Sequence, residues 1–154
     1  AVNENQKTVM MPKMKNFFRG NLTGKKMAIW GLAFKPDTDD IREAPALYMI
    51  DELLKAGATV SAFDPEAMEN VQGVIGDTIQ FAKDEYAALE GADALMICTE
   101  WGIFRNPDFD KIEALLKDKV IFDGRNLFDA QEMNVKGFYY SSIGRQTVDN
   151  SVKA

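Results

Sequence analysis

Apolar residues along this chain fall into short runs divided by polar stretches, and the period of the pattern changes from run to run. The run 27–30 is continuous and is cut by Gly31, which predicts a first strand over 26–31. Over 42–56, Ala46, Leu47, Ile50, Leu53 and Leu54 share one helical face, and Gly57 supplies a stop. A second strand is expected over 59–64, ended by Pro65, and a short third strand over 79–82. The stretch 66–76 reads as either a short helix or a turn. Further on, the pattern predicts a helix over 84–90 and an apolar strand over 92–99. An amphipathic helix over 107–116, a strand over 119–123, a short helix over 129–133 and a last strand over 137–141 complete it. The run over 92–99, apolar and bounded by polar residues, suits a parallel strand buried on both faces.

Strand and helix alternate, which predicts an α/β, doubly wound (Rossmann-like), mostly parallel sheet of about six strands with helices on both faces. The expected strand order is 3-2-1-4-5-6, with the switch point between the first and fourth strands. Ahead of the sheet, Val9, Met10, Met11, Met14, Phe17 and Phe18 form an apolar stripe at roughly helical spacing, with Pro12 opening a short helix. Read from its residues, this stripe packs on the domain's own flank. The domain is expected over 24–147, with 1–23 as a preceding segment and 148–154 as a flexible polar tail.

The chain has 154 residues, 46% hydrophobic and 27% charged, within the range of an ordinary globular domain. The N-terminal residues are polar and no apolar run approaches the roughly 20 residues that span a bilayer, so neither a signal peptide nor a membrane segment is expected. A net charge of −6 argues against a general nucleic-acid binder. The single cysteine, Cys98, forms no internal disulfide and suits a reducing, cytoplasmic setting. Histidine is absent, which removes the commonest general base, the histidine-activated nucleophiles and histidine metal sites.

The candidate chemistry lies in the loop after the first strand, where a doubly wound sheet binds its ligands. A dinucleotide cradle needs Gly-x-Gly-x-x-Gly, but Leu32, Ala33, Phe34, Lys35 and Pro36 follow Gly31. Independent NAD binding is therefore not expected, and Asp64-Pro65 reads as a strand-end turn. Lys35 and Arg42 suit an anionic ligand, against the plainer readings of a solvated lysine and an arginine paired with Asp39 or Asp40. Asp37, Asp39 and Asp40 are expected to cap the following helix rather than to hold a metal. Arg125, after Asp123-Gly124, offers a fork for phosphate, against pairing with Asp123. Cys98 reads as a small buried hydrophobe. Trp101 and Phe104 either wall a base or ribose site or anchor the core.

Three stretches also carry a resemblance. Gly31-Leu32-Ala33-Phe34-Lys35-Pro36-Asp37-Thr38-Asp39-Asp40-Ile41-Arg42-Glu43-Ala44-Pro45 resembles the loop opening the C-terminal, UDP-binding domain of the UDP-glucose/GDP-mannose dehydrogenases. Phe122-Asp123-Gly124-Arg125-Asn126 is similar to that family's Asp-Gly-Arg segment, and Thr99-Glu100-Trp101 with Phe104 resembles its UDP-glucose branch. The three occur in the family's order over roughly residues 1 to 147. The resemblance implies substrate contacts from Phe34, Lys35 and Arg125, and a contact from Arg42 to NAD held mainly by an N-terminal domain.

The same resemblance implies a homodimeric parent that oxidises UDP-glucose twice to UDP-glucuronate through a cysteine thiohemiacetal and thioester. The family's catalytic cysteine lies in a Gly-Gly-Ser-Cys type segment that Cys98 does not match. This chain is expected to hold no catalytic residue and no metal, and to be inactive alone. The start, Ala-Val-Asn-x-x-Gln, is similar to the end of the family's long interdomain helix, which would make part of the apolar stripe a partner surface. The alternatives are a non-catalytic nucleotide-binding or regulatory module, or the same domain from a GDP-mannose or UDP-N-acetylhexosamine dehydrogenase.

Overall fold

The computed structural model describes residues 9–150. Strands β1 (Lys26–Trp30), β2 (Thr59–Phe63), β3 (Gln80–Phe81), β4 (Ala94–Ile97), β5 (Val120–Asp123) and β6 (Tyr139–Ser142) form one sheet in the order β3-β2-β1-β4-β5-β6. Each neighbouring pair runs parallel, so the expected order and the switch point between β1 and β4 are both found. The helices are α1 (Met11–Phe17), α2 (Pro45–Lys55), α3 (Met68–Ile75), α4 (Phe109–Leu115) and α5 (Ala130–Val135), with 3-10 turns at Ala87–Leu89 and Gly102–Phe104.

Strand residues alternate between two cores. Met27 and Ile29 enter one layer with residues of α1, α2 and α3, while Ala28 and Trp30 enter the other with residues of α4 and α5. This is why the strands read as continuous apolar runs: both faces are covered. The stripe ahead of the sheet belongs to the first core. Met10, Met11 and Met14 are buried, and the Phe17 ring packs edge-on against Phe122 of β5. Lys13 Nζ donates to the Ser142 carbonyl of β6 at 2.5 Å, and burial pulls its pKa below the usual lysine value. The flank reading is the one found, and the partner-surface expectation is corrected for these three methionines. Each contributes about 1.5–3 kcal/mol of burial that a partner would otherwise have to supply. The start of the chain, read above as similar to the end of an interdomain helix, lies before residue 9 and outside the described residues.

Local chemistry shifts several boundaries. The helix expected from residue 42 begins at Pro45, because a residue before proline is driven out of the helical region. Ala44 is accordingly extended at φ −69° and ψ 125°, and Glu43 is left-handed at φ 57°. The open stretch 66–76 is helix α3, ended by Gly76 at φ 63°. The helix expected over 84–90 is only one 3-10 turn. The Asp84 carboxylate takes the Ala87 N–H at 2.7 Å, and Leu89 N–H closes on the Tyr86 carbonyl at 3.0 Å. The first residues of the expected tail are held: Val148 pairs antiparallel with Tyr140, and Asn150 Nδ2 donates to the Phe138 carbonyl at 2.9 Å. No helix among the described residues is long and apolar enough to cross a membrane.

Candidate functional site

The carboxyl ends of β1, β2, β4 and β5 meet along one sheet edge, and each feeds a loop that carries a candidate residue. The β1 loop begins at Gly31, held at φ 97° with its N–H on the Phe63 carbonyl. A Cβ there would lie 2.4 Å from Thr99 Cβ, so glycine is required by the close approach of the β4 loop. The next amides are fixed by Asp64, which is fully buried. Asp64 Oδ2 accepts from Leu32 N–H at 2.7 Å, Ala33 N–H at 3.1 Å and the Trp101 indole N–H at 3.1 Å. Its Oδ1 accepts from Glu66 and Ala67 N–H, each at 2.8 Å. The strand-end turn is real, and it also binds the first loop to the fourth. A carboxylate with five N–H donors has little acceptor capacity left for a ribose, which together with the missing glycines argues against a dinucleotide cradle here.

Beyond this anchor the loop turns outward. Phe34 is 36% exposed, and Lys35 is exposed next to it. Arg42 is found in its plainer reading: Nε and Nη2 donate to the two Asp40 oxygens at 3.0 and 2.9 Å. Asp37, Asp39 and Asp40 do not cap α2, whose N-cap Ala44 has no side-chain partner. Left-handed Glu43 and Pro45 set the helix start beyond their reach, so that expectation is corrected. Hydrogen bonds from Arg42 hold the Asp40 carboxyl at about 2. The pair's contribution is therefore complete above the ordinary carboxylate range and fades only as pH falls toward about 2. A carboxyl NMR titration should place the Asp40 midpoint there, and Arg42→Ala should return it toward 3.8. A midpoint unmoved by that substitution would contradict the assignment.

Thr99-Glu100-Trp101 follows β4 through the buried Cys98, whose thiol pKa burial pushes up. Each of the three side chains reaches a different loop. Thr99 Oγ1 donates to the Ala33 carbonyl at 2.7 Å, and Trp101 donates to Asp64. Glu100 Oε2 accepts from Arg125 Nε at 2.7 Å and also from Nη2. Arg125 is thus paired through its side chain with Glu100, while only its backbone N–H meets Asp123, at 3.0 Å. Asp123 Oδ2 takes Leu127 N–H at 2.7 Å and the Tyr140 hydroxyl at 2.6 Å, which fixes the β5 loop to β6. Burial, the Asp123 charge and its hydrogen bond push the Tyr140 phenol pKa up, so this hydroxyl stays a donor.

Phe104 is a core anchor, fully buried and stacked on Trp30 at 4.9 Å. Trp101 is 7% exposed yet borders an open cavity of ≈ 480 Å³, with Asp37, Thr38, Asp39 and Glu66. That lining is acidic and holds no cation, so a phosphate would sit elsewhere along the edge. Another cavity of ≈ 490 Å³, lined partly by Phe17, Lys119 and Gly137, lies at the opposite, amino edge of β5 and β6. Among the described residues no group of three or more acidic or cysteine side chains could hold a metal ion. The sequence reading missed Asp64 as an anchor and Glu100 as the partner of Arg125. The only signals were an acidic residue closing the second strand and the Thr-Glu-Trp triplet.

Comparison with known proteins matches residues 28–130 to the UDP binding domain of the UDP-glucose/GDP-mannose dehydrogenase family. The chain belongs to that family. It is 43% identical over 150 residues to UDP-glucose 6-dehydrogenase of Pseudomonas aeruginosa, covering 94% of this chain and 33% of that one. It is 38% identical over 140 residues to the rat UDP-glucose 6-dehydrogenase, covering 81% and 28%. Among solved structures it resembles a UDP-glucose dehydrogenase from Pyrobaculum islandicum, with TM-score 0.68, 29% identity, and 93% and 29% of the two chains covered. The chain therefore spans about a third of the length of the UDP-glucose 6-dehydrogenases it matches. All three stretches that carried the resemblance lie within the matched span.

Proposed function

We propose that this domain binds the nucleotide half of UDP-glucose for an NAD-dependent UDP-glucose 6-dehydrogenase whose remaining domains lie in the rest of a longer chain. The observation that carries the reading is the convergence of the Lys35 loop and Arg125 on one sheet edge, joined through Thr99-Glu100-Trp101. Lys35 acts as a point charge and Arg125 as a planar fork toward phosphate or sugar oxygens, with Phe34 as an apolar wall. Arg42, exposed and paired with Asp40, reaches toward NAD seated on the other domain. NAD supplies the hydride acceptor there, and this chain supplies position, which is a source of rate when geometry is held tightly. The identities to bacterial and mammalian UDP-glucose 6-dehydrogenases support UDP-glucose over GDP-mannose. A homodimeric parent in the cytoplasm completes the reading, and a buried, reduced Cys98 suits that compartment.

The test is a calorimetric titration of this chain with UDP-glucose, GDP-mannose and NAD⁺. UDP-glucose should bind selectively, and Lys35→Ala or Arg125→Ala should each weaken it about tenfold or more, the usual scale for a charge-assisted bond. Equal affinity for unrelated anions, or for NAD⁺ alone, would favour a general nucleotide-binding module. NADH formed from UDP-glucose by this chain alone would overturn its assignment as a non-catalytic domain.

A further inference from the structure

The Thr-Glu-Trp triplet has a physical task besides its place in the sequence pattern. Its outer residues hold the β1 loop from two sides, Thr99 through the Ala33 carbonyl and Trp101 through Asp64. Its middle residue holds Arg125, which lies 25 positions later on another strand end. Arg125 and Glu100 side chains are only 14% and 20% exposed, so this is not a loose surface pair. One oxygen, Oε2, receives both Arg125 donors, while Oε1 is buried with no hydrogen-bond partner among the described residues. The Nε edge of the guanidinium is thereby occupied, and the Nη1 side remains for a ligand. A ligand anion that displaced Glu100 would leave two negative groups together in a half-buried place. One that adds to the Nη1 side does not.

We propose that Glu100 is the positioning residue for Arg125: it fixes the guanidinium so that its remaining donors face the ligand in step with Lys35. Through its two neighbours the same triplet sets the β1 loop, so both cations are referred to one rigid turn after β4. The inference rests on the reading that Arg125 and Lys35 contact the nucleotide sugar. It predicts that Glu100 raises affinity although its charge is of the wrong sign for a phosphate site.

The experiment uses the full 154-residue chain, UDP as the probe, and three variants: Glu100→Ala, Glu100→Gln and Arg125→Ala. Calorimetry reads affinity, and ¹⁵N NMR reads the Arg125 Nε–H resonance, assigned by its loss in Arg125→Ala. Glu100→Ala should weaken UDP about tenfold and broaden or erase that resonance, since a held guanidinium exchanges slowly and a released one does not. Glu100→Gln keeps an oxygen acceptor where Oε2 stands, so it should retain the resonance and bind within about threefold of the native chain. Tighter or unchanged UDP binding in Glu100→Ala, with binding still lost in Arg125→Ala, would overturn the positioning role and leave the binding reading intact. A held Arg125 resonance in a native chain that does not bind UDP would overturn both.

Discussion

Asp64→Ala should lower the stability of this domain by about 3 kcal/mol or more, because it removes the acceptor of five N–H groups at a fully buried point. Groups left without a partner each cost about 1–3 kcal/mol, and part of that is recovered as the loop opens to water. For a chain of this size the melting temperature should fall by roughly 6–12 °C. Asp64→Asn is the sharper variant. Its single oxygen can serve the three donors on the Oδ2 side, but its amide NH₂ then faces the Glu66 and Ala67 N–H groups. It should cost about 2 kcal/mol, between the native chain and Asp64→Ala. Both variants should also weaken nucleotide binding, since the amides of Leu32 and Ala33 precede Phe34 and Lys35 directly. Thermal unfolding within a degree or so of the native chain for Asp64→Ala would show that the five bonds are not formed together.

Gly31→Ala should be nearly as damaging for a different reason. The position is left-handed, which costs a residue with a side chain about 1–2 kcal/mol. The added methyl would also meet Thr99 Cβ at 2.4 Å and the Thr99 backbone nitrogen at 2.7 Å. Backbone does not yield as a flexible side chain does, so β1 and β4 must part at their carboxyl ends, with overpacking costing about 1–3 kcal/mol more. Chemical denaturation should show a total loss of about 2–5 kcal/mol. Thr99→Ala should not rescue it. That change removes Oγ1 but leaves the Cβ and the nitrogen, and it gives up the bond to the Ala33 carbonyl. A double variant as stable as the native chain would mean that the clash is with the hydroxyl alone.

Both predictions concern the loop around Gly31, and they show where reading the chain in one dimension succeeds and where it stops. The broken apolar run 27–30, the glycine and the charged loop mark a strand feeding a binding edge, and the missing second and third glycines argue against a dinucleotide cradle. Nothing near Gly31 in the sequence names Thr99 as the group that excludes a side chain there. Likewise Asp64-Pro65 identifies a turn at a strand end, while its partners Leu32, Ala33 and Trp101 stand more than thirty positions away on either side. Trp101 and Phe104, which sequence leaves between wall and core, divide by placement: Phe104 is core, and Trp101 borders the edge cavity while tied to Asp64.

The sequence by itself determined the alternation of strand and helix, the order of the sheet, the edge that carries the loops, and the family to which the chain belongs. Those follow from local periodicity, from strand connections that cross over with one hand, and from short motifs whose residues are adjacent. Only the tertiary structure decided that the methionine stripe of α1 is core and that Glu100 holds Arg125. A cation in a loop finds whichever carboxylate the fold brings within about 3 Å, and that distance is set by strand register and loop path rather than by spacing along the chain.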